Sequence, residues 1–360
     1  MQKPKMLVTA AAGKTGMAST LQLLHHGYPV RAFVRRADAR SETLRKAGAE
    51  IAVGSLEDFD ALIKALKGVQ RAYFCPPLEA GVLRRTTLFA AAAEEARLEV
   101  AVVLSQWLVH PTHPALHSRE KWLAAKVWAW NPGVEVVTVN PGWFADNYFA
   151  ALESIAQFGL MSLPLGEGLN APPSTEDIAR VIVGALVHPA PHIGKRLRPT
   201  GPRLLSPPDI AATFGKVLGR KVSYQNEPLP LFLKVARSLG LSDYVIANLH
   251  DFLRDYQRNS FGIGAPTDTV LEVGGAPPEE FEAIVRRTVA GSLLARRSAG
   301  ATARAAVNLL RALLTPAPDL EAFARRSDLP GIESARLAAD SAQWHMEHAV
   351  RSSAPAGQAD

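Results

Sequence analysis

The chain holds a single cysteine, Cys75, among 360 residues, so internal disulfides are excluded and a reducing compartment fits. Long apolar runs are missing as well, and no segment is long enough to cross a bilayer. Lys3 and Lys5 precede apolar residues in the manner of a signal peptide, but Gly13-Lys14-Thr15-Gly16 interrupts the run and no cleavage region follows, so cytoplasmic residence is expected. The net charge of +6 comes from scattered basic residues, many of them towards the C-terminus, and no basic stripe carries interleaved aromatics. A nucleic-acid partner is therefore not expected. Glycine is absent from position 8, where a P-loop ending in Gly13-Lys14-Thr15 needs one to open its cradle; Val8 stands there, and an ATPase is excluded.

What is present suits a soluble enzyme: 48% hydrophobic and 21% charged residues are enough for one large core, or one core with a smaller lobe. The apolar strand Leu7-Val8-Thr9 runs into Ala10-Ala11-Ala12-Gly13-Lys14-Thr15-Gly16 and then a helix from about Met17 to His26, capped by Gly27. Such a junction suits a pyrophosphate, with Gly13 admitting it to backbone amides, Gly16 letting the helix pack close, and the helix N-terminus offering unpaired N–H groups. The same residues would also serve a plain turn. Ala10 takes the place of the usual first glycine and can make the tight turn if its φ stays negative. The strand Pro29 to Val34 completes a β-α-β unit. It ends on Arg35-Arg36, with Arg40 further on, rather than on the Asp or Glu that holds a ribose 2′-hydroxyl, which favours NADP(H) over NAD(H) or else makes a solvated rim.

Short β-rich runs at 50–54, 70–75, 99–105 and 134–140 alternate with helical patterns, predicting a doubly wound parallel sheet. Ligands on such sheets bind beyond the carboxyl ends of the strands. Besides Ala10 to Gly16, Arg35 and Arg36, that rule selects Ser55, Leu56, Cys75, Pro76, Pro77, Ser105, Gln106, Pro141, Gly142, Trp143 and Phe144. Cys75 ends a buried strand, which suits a core residue better than a nucleophile. His110, His113 and His117 form a tempting cluster, but Pro111 and Pro114 prevent a helix there and no cysteine assists, so no metal site is predicted.

The opening turn, Arg35, Gly54-Ser55-Leu56-Glu57-Asp58, His117-Ser118-Arg119-Glu120-Lys121, Asn140 to Asn147 and Ser174-Thr175-Glu176-Asp177-Ile178-Ala179 together resemble the NmrA-like branch of the atypical short-chain dehydrogenases. Gly201-Pro202 before Ser206, Leu218-Gly219-Arg220-Lys221-Val222 and Gly274-Gly275-Ala276-Pro277-Pro278 extend the resemblance to about Val289. It implies an NADP(H)-binding Rossmann domain under a smaller lobe, in a family that includes reductases of quinones and dyes alongside nucleotide-binding regulators. The chain departs from the pattern at Ala10, at Ser55 for Asp and at Asn140 for Arg.

Short-chain dehydrogenases place a Tyr four residues before a Lys on one helix face. Here the Tyr position is His117, leaving Lys121 to hold the nicotinamide ribose and His117 to donate a proton near neutral pH, or else a helix-start histidine beside a surface lysine. Without the phenol, quinone-like or conjugated acceptors are favoured, since their reduced anions are resonance-stabilised. Gln106, Trp143, Phe144, Asn147, Tyr148 and Phe149 form the expected substrate pocket, although such aromatics commonly serve as core.

The expected architecture is thus an α/β Rossmann domain over residues 1–150, a small α+β lobe over 151–289 with a strand near Lys195 to Pro199 returning to the main sheet, a helical extension over 290–350 and a disordered tail over 351–360. Two functions remain open: an NADPH-dependent oxidoreductase, or an NADP(H)-sensing regulator that docks a partner through the extension. A homodimer formed there is a further form of that docking.

Overall fold

A computed structural model describes residues 3–326 and 331–349, so the tail at 351–360 lies outside the described residues. Six strands open the chain: β1 (Met6–Val8), β2 (Val30–Val34), β3 (Glu50–Val53), β4 (Arg71–Phe74), β5 (Val100–Leu104) and β6 (Glu135–Val139). Between them run α1 (Lys14–His25), α2 (Ala39–Lys46), α3 (Phe59–Leu66), α4 (Val82–Glu95) and α5 (Leu116–Ala129). The strands are short, β-branched and nearly continuous in apolar character because helices cover both faces.

After β6 come α6 (Leu152–Phe158), β7 (Leu160–Leu163), α7 (Thr175–Val187), β8 (Arg196–Leu197), α8 (Pro207–Leu218), β9 (Ser223–Asn226), α9 (Leu229–Ser238), α10 (Asp243–Gln257), α11 (Thr269–Gly274) and α12 (Phe281–Gly291). The last helices are α13 (Ala299–Leu314), α14 (Leu320–Arg326) and α15 (Ala342–Ala349). The main sheet is parallel throughout, in the order β3-β2-β1-β4-β5-β6-β8, and β7 pairs with β9 in a separate two-stranded sheet. The order reverses between β1 and β4, which makes the crevice at their carboxyl ends the topological switch point.

Two apolar layers sandwich the sheet. One joins Met6, Val8, Leu23, Val102 and Val137 to Ile178, Val181 and Ile182 of α7; the other joins Leu7, Phe33, Phe74 and Val103 to Leu62, Phe89 and Trp128. A third cluster forms the lobe around Tyr148, Ile155, Phe214, Tyr256 and Phe281. It reaches back to Trp107, just beyond β5, and takes in Trp344 from α15, whose indole N–H donates to the Trp107 carbonyl at 3.0 Å. Helix α15 is therefore built into the lobe core through Trp344.

Local chemistry sets the helix starts. Asp38 and Ser41 close a capping box on α2, Asp58 caps α3, and Ser206 with Pro207 opens α8. Helix α1 differs. It begins at Lys14, earlier than the expected Met17, with Gly13 as an N-cap that offers no side-chain hydrogen bond and no acidic residue in the first turn.

Candidate cofactor and active site

The turn from β1 to α1 is unusually tight. Ala10 adopts φ of +47°, contrary to the negative φ expected of it, and its carbonyl accepts the Gly13 N–H at 2.8 Å. A Cβ on Gly16 would lie 2.3 Å from that carbonyl oxygen, so only glycine permits the helix to approach this closely. Ala10→Gly is accordingly expected to raise stability by about 1 kcal/mol, measured as a higher urea midpoint, since an L-residue is strained in this region.

An uncapped helix end leaves its first N–H groups without intrahelical partners. Together with the bare Gly13 and the close approach at Gly16, this is a cradle that fits a dinucleotide's phosphates. Ala11 is buried with its N–H on the Phe33 carbonyl, and the Ala12 carbonyl accepts from Arg40 at 3.3 Å. Lys14 reaches across to Asp146 at 2.9 Å, joining the turn to the segment after β6. The Thr15 hydroxyl lies on the Tyr73 hydroxyl at 2.9 Å, beneath the turn, so it is the Thr15 backbone that faces the cradle.

Arg35 and Arg36 are exposed beyond β2, and Arg35 has only a long ion pair to Glu79 at 3.9 Å. The nearby acid, Asp38, is committed to capping α2 and to Arg40. Ser55 is exposed and accepts the Glu57 N–H, while Leu56 packs against the α3 side of the sheet. The Cys75 N–H donates to the Thr9 hydroxyl at 2.9 Å, and Pro76 is buried beside it while Pro77 is half-buried. Thr9 and Asp146 were not legible as site residues, because each acts through a contact distant in sequence.

Beyond β5, the Ser105 N–H donates to the Val139 carbonyl. The Gln106 side-chain amide donates to the Ser118 hydroxyl at 2.6 Å, and the Gln106 backbone carbonyl accepts from the Asn140 side chain at 2.8 Å, so the loops after β5 and β6 are locked together over α5. Pro141 and Gly142 are buried, and the Trp143 carbonyl accepts from Asn170 at 2.8 Å.

His117 and Lys121 lie one turn apart on α5, both buried. The Lys121 ammonium donates to the Leu104 carbonyl at 2.5 Å, and burial pulls its pKa down to about 8, although Cys75 and Glu120 oppose the shift. The expected surface lysine is thus excluded. Burial, reinforced by the Lys121 charge, pushes the His117 imidazole well below the ordinary histidine range. Burial at this position therefore favours the uncharged ring. The N–H at the start of α5 that His117 carries is capped by the Asn248 side chain at 2.9 Å, a contact from α10 that no local signal announces.

The aromatic residues divide. Trp143 is half-buried, edge-on to Tyr256, and Phe144 packs towards the sheet core, while Asn147 is exposed. Tyr148 is fully buried with its hydroxyl on Tyr256 and Asn170, and Phe149 packs edge-on against Phe214. Both belong to the lobe core rather than to a substrate pocket, because the helical turn at 145–151 points them inward. His113 is also structural: its Nδ1 accepts the Ala115 N–H and its Nε2–H donates to Asp255 at 2.7 Å.

A family model described as NAD(P)H-binding matches residues 10–189, half of the chain. The chain belongs to the NAD(P)H-binding family. Among relatives of this family member, the NAD(P)H azoreductase of Xenophilus azovorans is 27% identical over 283 residues, covering 77% of this chain and 95% of its own. The crystal structure of the quinone oxidoreductase QOR2 of Escherichia coli complexed with NADPH superposes with a TM-score of 0.69 at 23% identity, over 79% of this chain and 99% of that one. NmrA, a negative transcriptional regulator solved in complex with NADP, superposes with a TM-score of 0.66 at 17% identity, over 82% and 99%. The resemblance to NmrA-like proteins thus holds at the level of the fold, and part of this chain has no counterpart in the azoreductase.

Proposed function

We propose that this NAD(P)H-binding chain is an oxidoreductase that passes a hydride from NADPH to a quinone-like or conjugated acceptor. The observation that carries the reading is that α5 buries Lys121 with His117 one turn before it, where reduction of an ordinary ketone would need a proton-donating phenol. When bound, the nicotinamide supplies two electrons as a hydride. A quinone that accepts it becomes a resonance-stabilised hydroquinone anion, and a proton from water completes the hydroquinone. The roles left to the protein are orientation and charge: Lys121 orients the nicotinamide ribose and stabilises the developing anion, while the uncapped start of α1 and the Gly13 turn bind the pyrophosphate.

Cofactor choice rests on Arg35 and Arg36, guanidinium groups suited to a 2′-phosphate, with Asp38 already engaged elsewhere. The names of the azoreductase and of QOR2 support an aromatic or quinone acceptor. Gln106, Trp143, Phe144 and Asn147 are the pocket residues proposed for it. A reducing cytoplasm, where NADPH is available and a single cysteine stays reduced, is the proposed setting.

The fold shared with NmrA favours one second reading, an NADP(H) sensor that docks a partner or a second copy through residues 290–350. NADPH and NADH oxidation against a panel of quinones and azo dyes separates the two. Turnover with NADPH that loses about tenfold or more of its NADPH-over-NADH preference in Arg35→Asp/Arg36→Asp is the expected result. Saturable NADPH binding with no turnover across the panel would favour the sensor.

A further inference from the structure

Helix α13 is docked with its small side chains inward. Ala301, Ala305 and Ala312 are buried, whereas Val307, Leu309, Leu310, Leu313 and Leu314 are exposed, Val307 by 61% and Leu314 by 75%. At the angular step of an α-helix Val307, Leu310 and Leu314 fall on the side opposite the alanines, and Leu313 and Leu309 continue the stripe along one flank. Leu293, in the turn that leads into the helix, adds a side chain that is 71% exposed. A stripe of this kind on a protein surface marks an interaction site.

The orientation is enforced by polar contacts rather than left to chance. Glu153 on α6 accepts from Arg304 and Asn308, and Gln157 donates to the carbonyls of Leu294 and Arg296 while accepting from the Thr302 hydroxyl. Lys234 of α9 donates to the Leu313 carbonyl at 2.6 Å. These bonds hold the alanine face down and the leucine face out.

Charge identifies the occupant. Residues 283–318 contain no Asp or Glu and six arginines. Arg296, Arg297 and Arg311 form no ion pair with a carboxylate among the described residues. Leucines bordered by unpaired arginines match the boundary between acyl chains and anionic headgroups, where the leucines leave water and each cation meets a negative potential. A second copy fits less well, because a two-fold pairing of this face would bring the arginine-rich segments together with no carboxylate inside them to offset the repulsion.

We propose that α13 and the turn before it form a docking surface for an anionic lipid bilayer, with the helix lying in the plane of the interface. Co-sedimentation of the full chain with vesicles of phosphatidylcholine alone, or mixed with phosphatidylglycerol, tests this at low and high salt. Binding to the phosphatidylglycerol vesicles only, weakened by salt and reduced about tenfold or more in both Leu310→Asp/Leu314→Asp and Arg296→Glu/Arg297→Glu, is the expected result. An unchanged thermal unfolding curve for both variants identifies the loss as one of docking. Absence of binding, or equal binding to phosphatidylcholine alone, overturns the proposal. A dimer seen by light scattering that dissociates in Leu310→Asp/Leu314→Asp, with no vesicle binding, also overturns it and assigns the face to a second copy.

Discussion

Lys121→Met is expected to lower kcat/KM for NADPH-dependent reduction by about 10²–10³-fold while raising the stability of the fold. The native ammonium is buried, 4% exposed, with the Leu104 carbonyl as its hydrogen-bond acceptor. Holding a charge there is unfavourable, which is why burial pulls the pKa down to about 8. Below pH 8 lysine is protonated in both the folded and the unfolded chain, and the fold carries the whole penalty. Between about 8 and the unfolded value near 10.4 the unfolded chain retains a proton that the folded chain has released, so native stability rises with pH through that window. The methionine variant lacks this dependence. Its advantage is on the order of 3 kcal/mol below pH 8, less the cost of leaving Leu104 without a donor, and it shrinks towards pH 10.5. Urea unfolding across that range measures the stability arm. The activity arm is a fall in native kcat/KM above about pH 8, as the ammonium loses its charge, with no such limb in the variant. Retained activity in Lys121→Met would remove Lys121 from the reaction.

Asp255→Ala is expected to cost about 3–5 kcal/mol, because it strips a buried hub of its carboxylate and leaves several donors unpaired. The Asp255 carboxylate accepts His113 Nε2–H at 2.7 Å, the Ser260 hydroxyl at 2.6 Å and the N–H groups of Ala338 and Ala339 at 3.2 and 3.1 Å. Burial alone would push its carboxyl up, but the bonds from His113, Ser260 and Ala339 more than offset that and hold it below the usual carboxylate value. The depressed value gives stability that is present above the unfolded pKa near 4 and is lost as the pH falls through the folded one. A lower urea midpoint in the alanine variant, together with red-shifted emission as the buried Trp344 is exposed, is the measurement. Asp255→Asn should retain part of the stability, since the amide oxygen can still accept. Equal loss in both variants would mean that the acceptor oxygen contributes nothing without its charge.

Much of the fold was legible in the sequence because its signals are local. Each β-branched run of the first six strands is short, and each intervening segment carries a helical pattern of its own, so the alternation alone determined a parallel sheet covered on both faces. Gly13 and Gly16 likewise marked the tight turn between β1 and α1, since the need for a missing side chain is written in the residue itself. The arginines at 35 and 36 were legible for the same reason, as a strand end occupied by cations.

What tertiary structure decided are properties that depend on a neighbour far away in the chain. Ala10 takes a left-handed φ that nothing in its own side chain favours, where α1 closes on the turn through Gly16. Tyr148 and Phe149 are core because the turn at 145–151 faces Tyr256 and Phe214, and aromatic residues suit a pocket or a core equally well until their partners are known. His117 and Lys121 are both buried because α5 lies against β5 and beneath the lobe, and burial, which lowers the pKa of each, is a sum over the whole packed structure. The sequence by itself determined the sheet, the tight glycine turn after β1 and the cationic strand end; only the packed chain decided which of the candidate residues are buried, which stay exposed and which simply fill the core.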